Sequence, residues 1–115
     1  MVFPPIAWFW LTLAIIAEVF ATTSLKASRE FTEITPTILM VVGYGLSFYF
    51  MILTMRHMPV AITYAFWSAL GIVFITIVSA MRFGEKPDLP ALIGIGLIIA
   101  GVVLITLFSG MKPGK

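Results

Sequence analysis

Residues 6–25 read IAWFWLTLAIIAEVFATTSL, twenty positions that hold a single charge, Glu18, and no Lys, Arg or His. At ~1.5 Å per residue, a helix of that length crosses the ~30 Å hydrocarbon core of a bilayer. A transmembrane strand would be about half as long and would alternate apolar with polar side chains. This stretch does neither. Nor does it have the basic flank of a cleaved leader, because the first Lys or Arg is Lys26. The segment is expected to be a membrane-spanning helix.

Outward from it, the pattern recurs three times. A polar connector, Lys26 to Glu33, leads to an apolar run over 36–55, which ends at Arg56-His57. The third run, 59–81, is closed by Arg82-Phe83-Gly84-Glu85-Lys86-Pro87-Asp88, and the fourth, 89–108, by a tail with Lys112 and Lys115. The boundaries carry helix signals. Thr35-Pro36 and Pro59 suit first turns, Asp88 is placed to cap the fourth helix ahead of Pro90, and Gly110 and Pro113 suit its end.

Composition agrees. Of 115 residues, 61% are hydrophobic and 10% charged, with a mean hydropathy of +1.12. Soluble domains hold roughly 45–50% apolar and about 25% charged residues. Too few charges remain to cover a globule, which excludes a soluble enzyme. With no cysteine and one histidine, neither a metal site nor a cofactor is expected. The seven basic residues form no run, so no nucleic-acid partner is expected either. The expectation is an all-α integral membrane protein: one four-helix transmembrane domain over residues 1–115, in contact with membrane lipid.

Charge at the span ends bears on orientation. Arg56, Lys112 and Lys115 share one side of the membrane, and Lys26, Arg29, Arg82 and Lys86 the other. Orientation follows the Lys/Arg excess in short loops. An excess of one is close to none, so the chain is expected to insert both ways up.

Four of the five acids are in loops, and Glu18 alone lies inside a span, just past its middle. An ionisable group there costs a few kcal/mol on insertion scales and marks a functional site by default. A carboxylate can hold either a proton or a cation, and its surroundings suit that exchange. Leu11, Ala14, Ile15, Ala21, Thr22 and Leu25 share its helical face at spacings of three, four and seven. Tyr44 and Phe48 are four apart on the second span, with Ser47 beside them, and Tyr64, Trp67, Ser68 and Gly71 form a stripe on the third. Aromatic faces near a carboxylate attract organic cations. Trp8, Trp10 and Phe3 fit an interfacial belt, and His57 a solvated turn. On the fourth span, Gly94 and Gly101 lie seven apart on one face, a spacing open to self-association or to packing within the chain.

These residues carry a resemblance. The run Ala17-Glu18-Val19-Phe20-Ala21-Thr22-Thr23-Ser24-Leu25-Lys26 resembles the first helix of the small multidrug resistance transporters. Thr63-Tyr64-Ala65-Phe66-Trp67-Ser68-Ala69-Leu70-Gly71 resembles their third-helix motif, and Leu89-Pro90-Ala91-Leu92-Ile93-Gly94 through Gly101 their fourth helix. The resemblance implies an antiparallel, dual-topology homodimer in the bacterial cell (inner) membrane, exporting cations in exchange for protons. It implies that Glu18 couples proton and substrate and that Tyr44, Tyr64 and Trp67 line the substrate; from their spacing Ala14, Thr22, Ser47 and Phe48 are expected around it, with Gly71 the flexible point for a gating bend. Gly94 and Gly101 would serve dimerisation.

Ala21, where the guanidinium-exporting branch carries tryptophan, and Thr22-Thr23 after it point to the branch exporting quaternary ammonium and lipophilic aromatic cations. Two positions depart from the family pattern: Ala69 and Glu30 stand where glycine is usual. A guanidinium exporter, a non-transporting membrane scaffold or subunit, and one half of a heteromeric transporter are the competing readings. The small charge bias speaks against the last.

Overall fold

Four apolar runs separated by short polar links leave the backbone one way to satisfy its own hydrogen bonds in lipid, which is to coil each run into a helix. The computed structural model describes residues 3–114 and has helices α1 (Pro5–Ala27), α2 (Ile34–Met55), α3 (Val60–Phe83) and α4 (Leu89–Phe108). Each is long and apolar enough to cross a membrane. Lys115, which entered the charge balance, lies outside the described residues.

The helices do not close into a bundle. α1 is the centre, packed against both α2 and α3, while α4 touches α3 alone. The result is a slab of 45 × 34 × 19 Å in which α1 and α3 run parallel. Its tightest seam joins α1 to α2. A methyl group added at Gly43 would come within 2.8 Å of Ala21 Cβ and 3.2 Å of the Ala17 carbonyl oxygen. Four residues on, the Ser47 hydroxyl donates to the Ala14 carbonyl at 2.8 Å. Against α3, Leu11, Ile15 and Val19 form a core with Ala7, Met58 and Ile62. α4 has the highest hydropathy of the four spans and no buried residue at all.

Boundaries follow the sequence at some ends and depart at others. The Asp88 carboxylate accepts a hydrogen bond from the Ala91 amide at 3.0 Å, the expected cap of α4. At α2 the expected Thr35-Pro36 start is corrected: the helix begins at Ile34 behind Glu33, with no side-chain cap. Pro36 fits inside the first turn because its amide position has no intrahelical partner there. α3 starts one residue later than expected, with Pro59 as its flanking residue, and runs two residues further, to a left-handed Gly84.

The α1–α2 link is unusual. Arg29, Glu30 and Phe31 have φ of 48°, 59° and 68°, three successive left-handed residues with none a glycine. The Ser28 hydroxyl accepts from the Phe31 amide, and the Ser28 carbonyl from the Glu33 amide, which holds the turn. A left-handed residue with a Cβ costs roughly 1–2 kcal/mol. Glu30→Gly, which removes the Cβ at a left-handed position, should therefore stabilise the chain by about 1 kcal/mol, read as a raised unfolding midpoint in detergent. An unchanged or lowered midpoint would remove the strain argument.

Candidate functional site

Glu18 sits where α1 faces both neighbours. Ala14, Ala17 and Ala21 turn towards α2, and Leu11, Ile15 and Val19 towards α3, so Glu18 and Thr22 fall in the gap between them. The gap is a cleft of about 280 Å³ lined by Glu18 and Thr22 from α1 and by Tyr64, Trp67, Ser68, Gly71, Ile72 and Ile75 from α3.

The two carboxylate oxygens have different surroundings. Oε1 accepts a hydrogen bond from the Thr22 hydroxyl at 2.7 Å, and that hydroxyl meets the Tyr44 hydroxyl at 2.8 Å. Since Thr22 spends its one proton on Glu18, Tyr44 is the donor in the second bond. The relay Tyr44 to Thr22 to Glu18 ties three residues from two helices and fixes the carboxylate's rotation. Oε2 faces α3, 3.7 Å from where a methyl group at Gly71 would sit. Glycine at 71 thus leaves open space in front of the uncommitted oxygen.

The aromatic wall is built on α3. Tyr64 and Trp67 meet edge to face, ring centres 5.3 Å apart at 90°. Tyr44 stacks on Phe48 at 6.2 Å on the α2 side. A carboxyl group lining the same outward-opening cleft as Tyr64 and Trp67 suits an organic cation. Among the described residues no group of three His, Cys, Asp or Glu stands close enough to hold a metal ion.

Not every expected site residue reaches this cleft. Ala14 and Ser47 are fully buried in the α1–α2 seam, where they bond to each other. Both were expected beside the substrate; helical spacing puts Ala14 on Glu18's side of α1, and α2 covers that part of it in the single chain. Phe48 is exposed and touches the site only through Tyr44. Gly71 lies within an uninterrupted α3, and Ala69 beside it is buried. Gly94 and Gly101 have nothing within 4 Å of an added methyl group, so no close helix contact inside the chain requires glycine there. Towards the other end, Trp8 packs edge to face on Phe66 and Trp10 stacks on Phe50. His57 is partly covered, in a hollow with Phe3, Pro4 and the tail from Ser109 to Pro113, rather than fully solvated.

Gly43 was not among the expected residues, although a signal for it existed. Ala17 and Ala21 on α1, and Gly43 and Ser47 on α2, are small residues four apart on both helices, a pattern for close approach in membranes.

Comparison with known proteins agrees with this architecture. The family described as Small Multidrug Resistance protein matches residues 6–98. A multidrug transporter of Pseudomonas aeruginosa is 51% identical over 102 residues, covering 89% of this chain and 93% of the relative. The quaternary ammonium compound-resistance protein QacE of Escherichia coli is 43% identical over the same shares. QacG of a Staphylococcus strain, likewise named for quaternary ammonium compound resistance, is 42% identical, covering 89% of this chain and 95% of its own. With four apolar spans and a matching family over most of its length, the chain is a multi-pass protein of the bacterial cell membrane and belongs to the small multidrug resistance family.

Proposed function

We propose that this protein is a drug efflux transporter that exports lipophilic and quaternary ammonium cations in exchange for protons. The observation that carries the reading is the cleft itself. The one carboxylate inside the spans has one oxygen fixed by Thr22 and the other free in front of Gly71, beside the Tyr64–Trp67 wall.

One chain offers half a site. A single slab has no second wall across the cleft and no second gate, and alternating access usually works through two repeats of inverted topology. A second copy inserted upside down supplies the missing repeat, as the near-balanced charge at the span ends allows. Two clefts face each other in that dimer, and together they reach the ~300–1,000 Å³ of a ligand pocket.

Proton and cation then compete for the same oxygens. A bound cation sits between the two Glu18 carboxylates, with Trp67 and Tyr64 against its apolar surface. It leaves when protons take its place, and Tyr44 and Thr22 keep each carboxylate aimed through the exchange. The paired carboxylates titrate as a unit, so apparent proton affinities belong to the dimer. Gly71, by keeping side-chain bulk away from Oε2, leaves room for α3 to shift as the open face changes.

The test is binding of tetraphenylphosphonium and of guanidinium to the purified protein over a pH series. Affinity for tetraphenylphosphonium should rise with pH until the carboxylates are fully deprotonated, with protons released on binding. Guanidinium should bind weakly. Tight guanidinium binding would favour the guanidinium-exporting alternative, and binding of neither cation at any pH would favour a scaffold. For the assembly, reporter fusions at the C-terminus should give signal from both sides of the membrane, and signal from one side only would exclude dual insertion.

A further inference from the structure

We propose that the far side of the α1–α3 seam is a binding groove for one anionic phospholipid, its acyl chain between the helices and its phosphate on Arg82. The groove, about 570 Å³, lies behind the seam from the Glu18 cleft. Ile16, Val19 and Phe20 form one wall and Leu70, Phe74 and Val78 the other.

Its polarity is confined to one end. Thr12 and Thr23 line it, but their hydroxyls donate to the Trp8 and Val19 carbonyls of their own helix, both at 2.8 Å. The surface offered along the groove is therefore hydrocarbon, with no carboxylate to attract a transported cation. At the end stands the exposed Arg82 guanidinium. Among the described residues the only ion pair is Lys26–Glu85, which leaves Arg82 without a carboxylate partner.

Length fits a lipid tail. From Thr12 to Thr23 on α1, and from Leu70 to Arg82 on α3, the walls rise roughly 16–18 Å at 1.5 Å per residue. That is about one leaflet's share of a ~30 Å hydrocarbon core, with the cation in the headgroup layer. A guanidinium forks naturally onto phosphate oxygens.

Charge argues against a second copy as the occupant, on the antiparallel reading above. Such a copy would bring to this level its Arg56, His57 and Lys112 ends, while its own loop acids (Glu30, Glu33, Glu85 and Asp88) would lie at the other face of the membrane. No acidic side chain of that copy stands there to neutralise Arg82. A lipid phosphate does.

The experiment is native mass spectrometry of the purified protein titrated with phosphatidylglycerol or phosphatidylcholine. The unmodified protein should retain phosphatidylglycerol about fivefold more than phosphatidylcholine, the worth of one basic side chain near an anionic headgroup. Arg82→Gln should erase that preference and leave phosphatidylcholine retention unchanged. Val78→Trp, which fills the groove, should lower retention of both lipids. Glycerol phosphate without acyl chains should fail to compete, which separates a lipid from a free phosphate. Both variants should still bind tetraphenylphosphonium, because neither residue lines the Glu18 cleft; that readout reports folding and the transport reading separately from the lipid site. The proposal is overturned if the preference survives Arg82→Gln, or if Phe74→Cys forms disulfides between copies across the groove. If Val78→Trp does not fold, the Arg82→Gln comparison decides alone.

Discussion

Glu18→Gln should abolish proton-coupled cation transport while leaving the chain folded. The amide is isosteric, and its oxygen can still accept the Thr22 hydroxyl that now binds Oε1 at 2.7 Å. What disappears is the ionisable group, for which proton and cation compete on the proposed mechanism. No other acid lies within the spans to take over. Transport into liposomes driven by a proton gradient should fall to background, a loss of at least about a hundredfold if the carboxylates supply even ~3 kcal/mol of cation affinity. Residual binding of tetraphenylphosphonium to the Tyr64–Trp67 wall should be weak and should no longer vary with pH. Transport that persists with its pH dependence intact would mean that the coupling group lies elsewhere.

The second large effect is expected at Gly43, remote from any substrate contact. Adding one methyl there collides with Ala21 Cβ at 2.8 Å and crowds the Ala17 carbonyl at 3.2 Å, contacts that α1 cannot relieve without moving. Overpacking of this kind costs about 1–3 kcal/mol, so Gly43→Ala should lower the unfolding midpoint measurably. Gly43→Leu should force α2 off α1. Tyr44 is the next residue and Ser47 lies one turn on, so the same displacement breaks the Tyr44–Thr22 bond and the Ser47–Ala14 bond. Cation binding should fall with stability. A Leu variant with an unchanged midpoint and unchanged tetraphenylphosphonium binding would show that the seam is not what positions Tyr44. Gly45→Ala is the control, since an added methyl at Gly45 meets nothing within 4 Å.

What was legible in the sequence depended on whether one helix or two decided the answer. Span number and length came from apolar runs, which need no partner to be recognised. Glu18 stood out because a lone carboxylate in such a run has few explanations. Neighbours were harder. Periodicity puts Ala14 and Thr22 on one broad side of α1, but α2 covers the part holding Ala14 and leaves Thr22 beside the cleft. Only the position of a second helix separates them. The same holds for the Tyr44–Thr22 bond, whose partners are 22 residues apart. At the start of α2, Thr35-Pro36 carries a strong local signal, but the helix begins behind Glu33, which follows the left-handed turn.

One feature of α4 reaches beyond the single chain. A span that packs on α3 alone and has no fully buried residue must complete its burial in lipid or against another copy. If another copy supplies it, the working form obeys mass action, and its stability rises with the amount of chain in the membrane. Export capacity would then climb faster than linearly with expression at low copy number. A cell carrying one weakly expressed copy of the gene would be nearly as sensitive as a cell with none, and a modest rise in dosage would bring resistance on abruptly.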